Sequence, residues 1–107
     1  MGEYRLAPRL DEDLRASATW ILQDHPQAAR RFLDSAFEAF ELLARFPEAG
    51  PLARLEHKRL SAVRFWVLSP PFNHWLVFYR VAKGGVEVLR VIYGTMNWRA
   101  AQEDFFS

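Results

Sequence analysis

The segment of residues 74–98 constrains the fold of this chain more than any other part of the sequence. Residues 75–81 and 86–93 are both rich in aromatic and β-branched side chains, which favour strands. A Lys-Gly-Gly sequence at residues 83–85 lies between them and supplies the left-handed conformations that a tight turn needs. The segment therefore predicts two antiparallel strands joined by a hairpin.

Side chains alternate between the two faces of a strand, so the sequence also predicts how the hairpin residues are divided between faces. In the first strand, one face carries Trp75, Val77, Tyr79 and Val81, and the other carries Leu76, Phe78 and Arg80. In the second strand, one face carries Val86, Val88, Arg90 and Ile92, and the other carries Glu87, Leu89, Val91 and Tyr93. The two arginines lie among apolar neighbours and have two interpretations. They are structural, reaching the sheet edge or pairing with Glu87, or they belong to a functional surface.

The rest of the chain predicts three helices and two further strands. Alternating side chains indicate strands at residues 3–6 and 58–68. Helices begin at Pro8 and Pro26, because the fixed φ and missing N–H of proline suit a first helical turn. A final helix begins at Asn97, which can cap it. The order β-α-α-β-β-β-α describes an α+β fold with a helical hairpin packed on a mainly antiparallel sheet.

The aromatic content favours an interaction protein. The chain of 107 residues fits one domain spanning residues 1–107. Half of its residues are hydrophobic and 15% are aromatic, which excludes a disordered chain. So small a domain has a high surface-to-volume ratio, and we expect part of this aromatic surface to stay exposed. A contiguous exposed apolar patch usually marks a partner site.

Composition also excludes several classes of protein. The sequence has no cysteine, so it has neither a disulfide framework nor a thiolate metal site. No apolar run approaches the roughly 18 residues of a membrane span, and we expect a cytoplasmic protein with no membrane association. The formal net charge of +1 gives no basis for direct DNA binding by the chain alone, although basic residues concentrate in its second half.

No motif indicates catalysis by a metal, a cofactor or an activated nucleophile. His25, His57 and His74 lack the paired spacing of metal ligands, and no serine lies in a nucleophile-elbow context. The carboxylates at residues 11–13 are consecutive and point in different directions on a helix, so we interpret them as a solvated first turn. We expect neither a metal nor a cofactor.

The hairpin carries a resemblance to a known family. The strings FYRV and VEVLRVIYG, separated by a short glycine turn and followed by a polar helical tail, resemble the end of toxins of the ParE and RelE superfamily, and ParE most closely. Upstream, residues 4–6, 13–14, 28–32 and 46–50 fall where that family has its own landmarks. The resemblance covers nearly the whole chain, and the hairpin is its most specific part.

The resemblance implies a toxin of a type II toxin–antitoxin module. Such a toxin would inhibit DNA gyrase by direct binding rather than by catalysis, and would form a hetero-oligomer with a ParD-like antitoxin that wraps it with a helix and an extended segment. The candidate target-binding residues are Arg64, Arg80, Arg90, Met96, Trp98 and Arg99. The candidate antitoxin-binding residues are Phe37, Phe40 and Trp66.

Two other functions remain open at this point. RelE-like members of the superfamily cut messenger RNA on the ribosome with basic residues and a late aromatic or histidine, and the candidates here are Arg64, Arg80, Arg90 and Tyr93. General acid–base catalysis would be served by a histidine near the last strand, but this chain has Tyr93 there and lacks a basic run after Gly94. The third possibility is a degenerate, non-toxic protein that binds an antitoxin.

Overall fold

The computed structural model describes residues 2–55 and 58–94, which form two helices packed on a four-stranded mixed sheet. The elements are β1 (Glu3–Leu6), α1 (Pro8–Asp24), α2 (Pro26–Arg45), a 3-10 helix (Lys58–Leu60), β2 (Arg64–Val67), β3 (Trp75–Ala82) and β4 (Gly85–Tyr93). The strand order is β1-β4-β3-β2; β1 is parallel to β4, and the other pairs are antiparallel. The predicted α+β fold is confirmed. The predicted final helix lies outside the described residues.

The two helices form an antiparallel hairpin with a break of one residue at His25. Pro8 and Pro26 each occupy the first turn of a helix, as the sequence predicts. Helix α1 buries a narrow stripe, whereas α2 buries a wide one that includes the inaccessible side chains of Phe32 and Phe40. Helix α2 therefore packs against both α1 and the sheet, and complete burial of each phenylalanine contributes about 2 kcal/mol.

A β-bulge corrects the predicted division of β4 between faces. The register with β3 shifts between Phe78 and Tyr79, which leaves Leu89 as an extra residue in β4. Beyond the bulge, Val91 packs in the cluster under the helices, while Ile92 packs with Leu89 in the cluster on the other face. The prediction that Ile92 shares the face of the first half of β4 is wrong, because strict alternation fails where a residue is inserted.

The second face of the sheet is covered by the connection between α2 and β2. The predicted strand over residues 58–68 is shorter than expected, since β2 spans Arg64–Val67 and Lys58–Leu60 is a 3-10 helix. Leu60 and Val63 turn inward and pack against the sheet, which removes this stretch from an extended path. The buried members of this second cluster are Ala7, Ala53, Leu55, Leu60, Val63, Phe78, Leu89 and Ile92.

Within residues 2–55 and 58–94, no helix is both long enough and apolar enough to cross a bilayer.

Candidate protein-interaction surface

A groove of about 750 Å³ runs between the outer faces of α1 and α2, and we call it the hairpin groove. Alanines 18 and 29 lie in its floor, where small side chains let the helices approach and leave a depression above them. Larger apolar side chains stand along it, with Leu22 exposed by 51% and Phe37 by 37%. The apolar residues that line the groove are Leu14, Ala18, Leu22, Pro26, Ala29, Leu33 and Phe37.

The hairpin groove is bordered by charges of both signs. Asp11 and Arg15 line it from α1, and Arg30 and Asp34 line it from α2. The Arg15 guanidinium lies 2.6 Å from the Asp11 carboxylate, and both side chains are exposed. A long apolar depression between polar rims fits an amphipathic helix, which buries one apolar stripe and keeps its charged flanks in water.

Phe37 and Phe40 have different roles although the sequence predicts both as contacts. Phe40 has no accessible surface, whereas Phe37 lies in the hairpin groove. Their rings meet edge to face with centroids 5.4 Å apart, so the buried ring holds the exposed one in place. Trp66, the third predicted residue, lies in β2 and is half-buried against the main core.

Arg90 is held in a buried ion pair with Asp13. Its Nε donates to Asp13 Oδ2 at 2.6 Å, and its Nη2 donates to Asp13 Oδ1 at 2.9 Å. The Val91 N–H donates to the same carboxylate at 3.1 Å, and the two side chains are 11% and 12% exposed. The carboxylate therefore joins α1 to β4. The prediction that residues 11–13 form a wholly solvated turn is wrong at Asp13.

Arg64 in β2 and Arg80 in β3 are also held by hydrogen bonds. Arg80 Nε donates to Glu87 Oε1 at 2.7 Å across the β3–β4 ladder, and its side chain remains 42% exposed. The predicted pairing of Arg80 with Glu87 is confirmed. Arg64 Nη1 donates to the carbonyl of Gly50 at 2.7 Å and so fastens the loop after α2 to the edge of the sheet.

Tyr79 completes this attachment from inside the core. Its inaccessible hydroxyl accepts a hydrogen bond from the Gly50 N–H at 2.9 Å. Burial raises the pKa of the Tyr79 phenol above its ordinary value of 10.0, although the Gly50 N–H and the charge of Arg64 act in the opposite direction. The sequence indicates an apolar environment for Tyr79 but gives no sign of this contact, since the partner lies 29 positions away.

An aromatic cluster lies at the end of β4. The Tyr93 ring is 4.8 Å from Trp75, 6.0 Å from Trp20 and 5.9 Å from His74, measured between centroids. Trp20 is 59% exposed and belongs to no apolar stripe of α1, so periodicity alone does not identify it. Its size and exposure make it an interaction candidate that the sequence reasoning missed.

The predicted target-binding residues Met96, Trp98 and Arg99 lie outside the described residues. Within residues 2–55 and 58–94, no three His, Asp or Glu side chains are grouped so that they could hold a metal ion.

Comparison with known protein families identifies the family of the chain. A family model described as the ParE toxin of type II toxin–antitoxin systems, parDE, matches residues 4–98. The chain belongs to the ParE toxin family. It is a toxin of a type II toxin–antitoxin system, and family membership implies an antitoxin partner. No curated protein matches the chain closely enough to count as a relative.

In this ParE-family toxin, the four residues considered for RNA cleavage are each held by a different group. Arg90 is bound to Asp13, and Arg80 is bound to Glu87. Arg64 donates to a loop carbonyl, and Tyr93 packs in the aromatic cluster. A cation that stabilises charge in a transition state must be directed at the reacting atoms. The observed contacts direct these guanidinium groups at carboxylates and backbone of the protein itself.

Proposed function

We propose that this toxin inhibits DNA gyrase by direct binding, without catalysis, and that a ParD-like antitoxin neutralises it by laying an amphipathic helix in the hairpin groove. The family match supplies the toxin–antitoxin class. The hairpin groove supports the proposed binding surface, because it combines exposed apolar side chains with charged rims of both signs. We further propose that the chain acts as one domain in the cytoplasm.

The bidentate bond between Arg90 and Asp13 is the observation that carries the non-catalytic assignment. A buried guanidinium with a carboxylate across two of its nitrogens is positioned to join α1 to β4. Using it for cleavage would require breaking that pair and leaving Asp13 as a buried charge without this partner, which costs several kcal/mol. A binding protein needs the pair intact, since the pair holds the helices that form its surface.

The target-binding surface differs from the antitoxin surface in this proposal. The Arg80 side chain is 42% exposed, so it can reach a partner while still bonded to Glu87. Arg64 and Arg90 would act indirectly, by holding the loop at Gly50 and the helix α1 in place. The tail residues that follow Gly94 would supply the remaining contacts: Met96, Trp98 and Arg99.

Substitution of Phe37 tests the antitoxin surface. Phe37→Glu places a charge in the apolar groove, and we expect affinity for the antitoxin of the same module to fall by about thirtyfold or more, the loss of a typical hot-spot residue. Val81→Glu is the matched control, because Val81 is also an exposed apolar residue but lies in β3, outside the groove. Isothermal titration calorimetry on the full chain measures both.

The two variants also separate neutralisation from toxicity. The Phe37→Glu chain should still inhibit gyrase, and the antitoxin should no longer relieve that inhibition at concentrations that neutralise the wild-type chain. Antitoxin affinity that is unchanged by Phe37→Glu but reduced by Val81→Glu would contradict the assignment of the groove.

A further inference from the structure

The outer edge of β1 is open. The N–H groups of Glu3 and Ala7 donate to carbonyls of residues 84 and 88, at 2.8 and 2.9 Å, so they face β4. Backbone groups alternate in direction along a strand, so the N–H and C=O groups of Tyr4 and Leu6 face away from β4. No hydrogen bond joins these outward groups to another of the described residues. They form a template for one more strand.

The opposite edge of the sheet is covered by the chain itself. Ala53 N–H donates to the Val63 carbonyl at 2.8 Å, and Phe65 N–H donates to the Pro51 carbonyl at 3.0 Å. The segment before the 3-10 helix therefore occupies the outer edge of β2. At β1, by contrast, a concavity of about 530 Å³ lies beside the strand, between it and the second half of α2.

The charges around the β1 edge are self-complementary. Glu3 and Arg5 are both exposed and lie on the same face of β1, because they are two residues apart. Glu41 and Arg45 line the neighbouring concavity from α2. The edge and the concavity each contribute one acidic and one basic side chain. A binding site for a strongly acidic or strongly basic partner would carry mainly one sign of charge.

We propose that the outer edge of β1 pairs with the same edge of a second copy of this chain, antiparallel, with Tyr4 opposite Tyr4 of the second copy. In this register the outward N–H and C=O groups of the two tyrosines exchange two hydrogen bonds. Glu3 lies opposite Arg5 of the second copy, and Gly2 lies opposite Leu6. The sheets of the two copies become one continuous eight-stranded sheet, and this assembly goes beyond the proposed toxin function.

Charge selects this register over its neighbours. A slip of one residue sets outward backbone groups against groups already bonded to β4, so the ladder does not form. A slip of two residues places either Arg5 opposite Arg5 or Glu3 opposite Glu3, and like charges directly opposite one another destabilise a pair of strands. The register centred on Tyr4 satisfies the backbone and pairs opposite charges twice.

The dimer would be weak and reversible. A strand of four residues and its flanks bury less than the roughly 1,200 Å² of a stable interface, so association depends on concentration. The residues of the hairpin groove are different from those of this edge, so an antitoxin helix in the groove leaves the edge free.

Charge reversal tests the register without altering the ladder to β4. Sedimentation velocity on the full chain, without an added N-terminal segment, would be compared for wild type, Glu3→Arg, Arg5→Glu and the double variant over a range of concentrations. Each single reversal sets like charges opposite at two positions and should weaken dimerisation by about tenfold. The double variant restores both opposite-charge pairs and should dimerise like wild type.

Removal of one outward N–H tests the backbone pairing. Leu6→Pro deletes a donor that faces away from β4, and proline is tolerated on that side of an edge strand. We expect an unchanged circular dichroism spectrum and a loss of the dimer. A wild-type chain that stays monomeric, a double variant as weak as the single reversals, or a Leu6→Pro dimer as tight as wild type would overturn the proposal. Binding of an antitoxin segment to this edge in a monomeric chain would overturn it too.

Discussion

At the scale of single residues, Asp13 links the two layers of the molecule. Its carboxylate accepts hydrogen bonds from two nitrogens of Arg90 and from the Val91 N–H, so one side chain of α1 binds both side chain and backbone of β4. Helix α1 is one wall of the hairpin groove, and its position depends on this contact. The proposed binding surface therefore depends on a polar pair between α1 and β4 as well as on apolar packing.

Removing one member of this pair should destabilise the fold strongly. Asp13→Ala leaves the Arg90 guanidinium buried without its carboxylate, and we expect the free energy of unfolding in urea to fall by about 3–5 kcal/mol. Asp11→Ala is the control, because it breaks the exposed pair with Arg15, and exposed pairs contribute at most about 1 kcal/mol. Equal losses in the two variants would show that the Asp13 pair does not hold α1.

Tyr79 gives the fold a dependence on alkaline pH. Its pKa in the folded chain is raised by burial, so the folded state keeps the phenolic proton at pH values where the unfolded chain has lost it. Below about pH 10, the Tyr79 phenol should therefore not change the free energy of unfolding. Above about pH 10, the free energy of unfolding should fall as the pH rises.

Tyr79→Phe removes this titration and the hydrogen bond from Gly50. We expect a loss of about 1 kcal/mol at neutral pH and a smaller further loss than wild type at alkaline pH, measured by urea unfolding at several pH values. A variant that loses stability as steeply as wild type above pH 10 would contradict the role of this phenol.

The contacts of Asp13 and Tyr79 could not be predicted because they join distant parts of the chain. Asp13 and Arg90 are 77 positions apart. Sequence spacing predicts an acidic first turn and an embedded arginine, and each of them has a local explanation. The sequence does predict the pairing of Arg80 with Glu87, because both residues lie in one hairpin whose register follows from its turn.

At the scale of elements, the turn between β3 and β4 also determines where β1 lies. Gly84 has a φ of +81° and open space around it, whereas a Cβ at Gly85 would collide with the backbone carbonyl of Glu3 in β1. The sequence predicts both glycines as turn residues. In the structure, the second begins β4 and lets β1 approach.

The two glycines should therefore respond differently to alanine. Gly84→Ala should cost about 1 kcal/mol, the penalty of a left-handed conformation. Gly85→Ala should cost more and separate β1 from β4, so the amide protons of Glu3 and Ala7 should exchange faster with solvent in hydrogen-exchange experiments. Protection of these two amides as in the wild-type chain would contradict the contact.

Elements with strong periodicity were predicted, and those shaped by tertiary packing were not. The helices and the hairpin follow from proline positions and β-branched runs. The short β2 and the bulge at Leu89 arise because the chain must cover the second face of the sheet and curve around its core. No local pattern carries that requirement.

At the scale of the whole molecule, the layers leave three separate surfaces exposed. The hairpin groove lies on the helical layer, the exposed Trp20 lies with the aromatic cluster at the end of β4, and the open β1 edge lies beside α2. The aromatic content predicted that some large apolar side chains would stay exposed, and this is confirmed. Composition could not predict which ones, because exposure depends on how the layers meet.

The sequence predicts Phe37, which lines the hairpin groove, as an antitoxin contact, and this stays a prediction. The sequence does not indicate Leu22, which also lines the groove and is 51% exposed. Helical spacing predicts the direction in which a side chain points around its own helix. It does not predict which part of that helix a neighbouring helix covers. The groove arises from the meeting of two helices, so neither helix contains it alone.

Parallel assays of one preparation test most directly the central claim that the toxin acts by binding gyrase. The full chain would be added to a DNA gyrase supercoiling reaction and to ribosomes translating messenger RNA. We predict that supercoiling stops, that the messenger RNA stays intact, and that added antitoxin restores supercoiling. Cleavage of messenger RNA with normal supercoiling, reduced by about a hundredfold or more on replacing Arg80, Arg90 or Tyr93 with alanine, would contradict the claim and assign a RelE-like activity. Inactivity in both assays would contradict it as well and identify a degenerate antitoxin-binding protein.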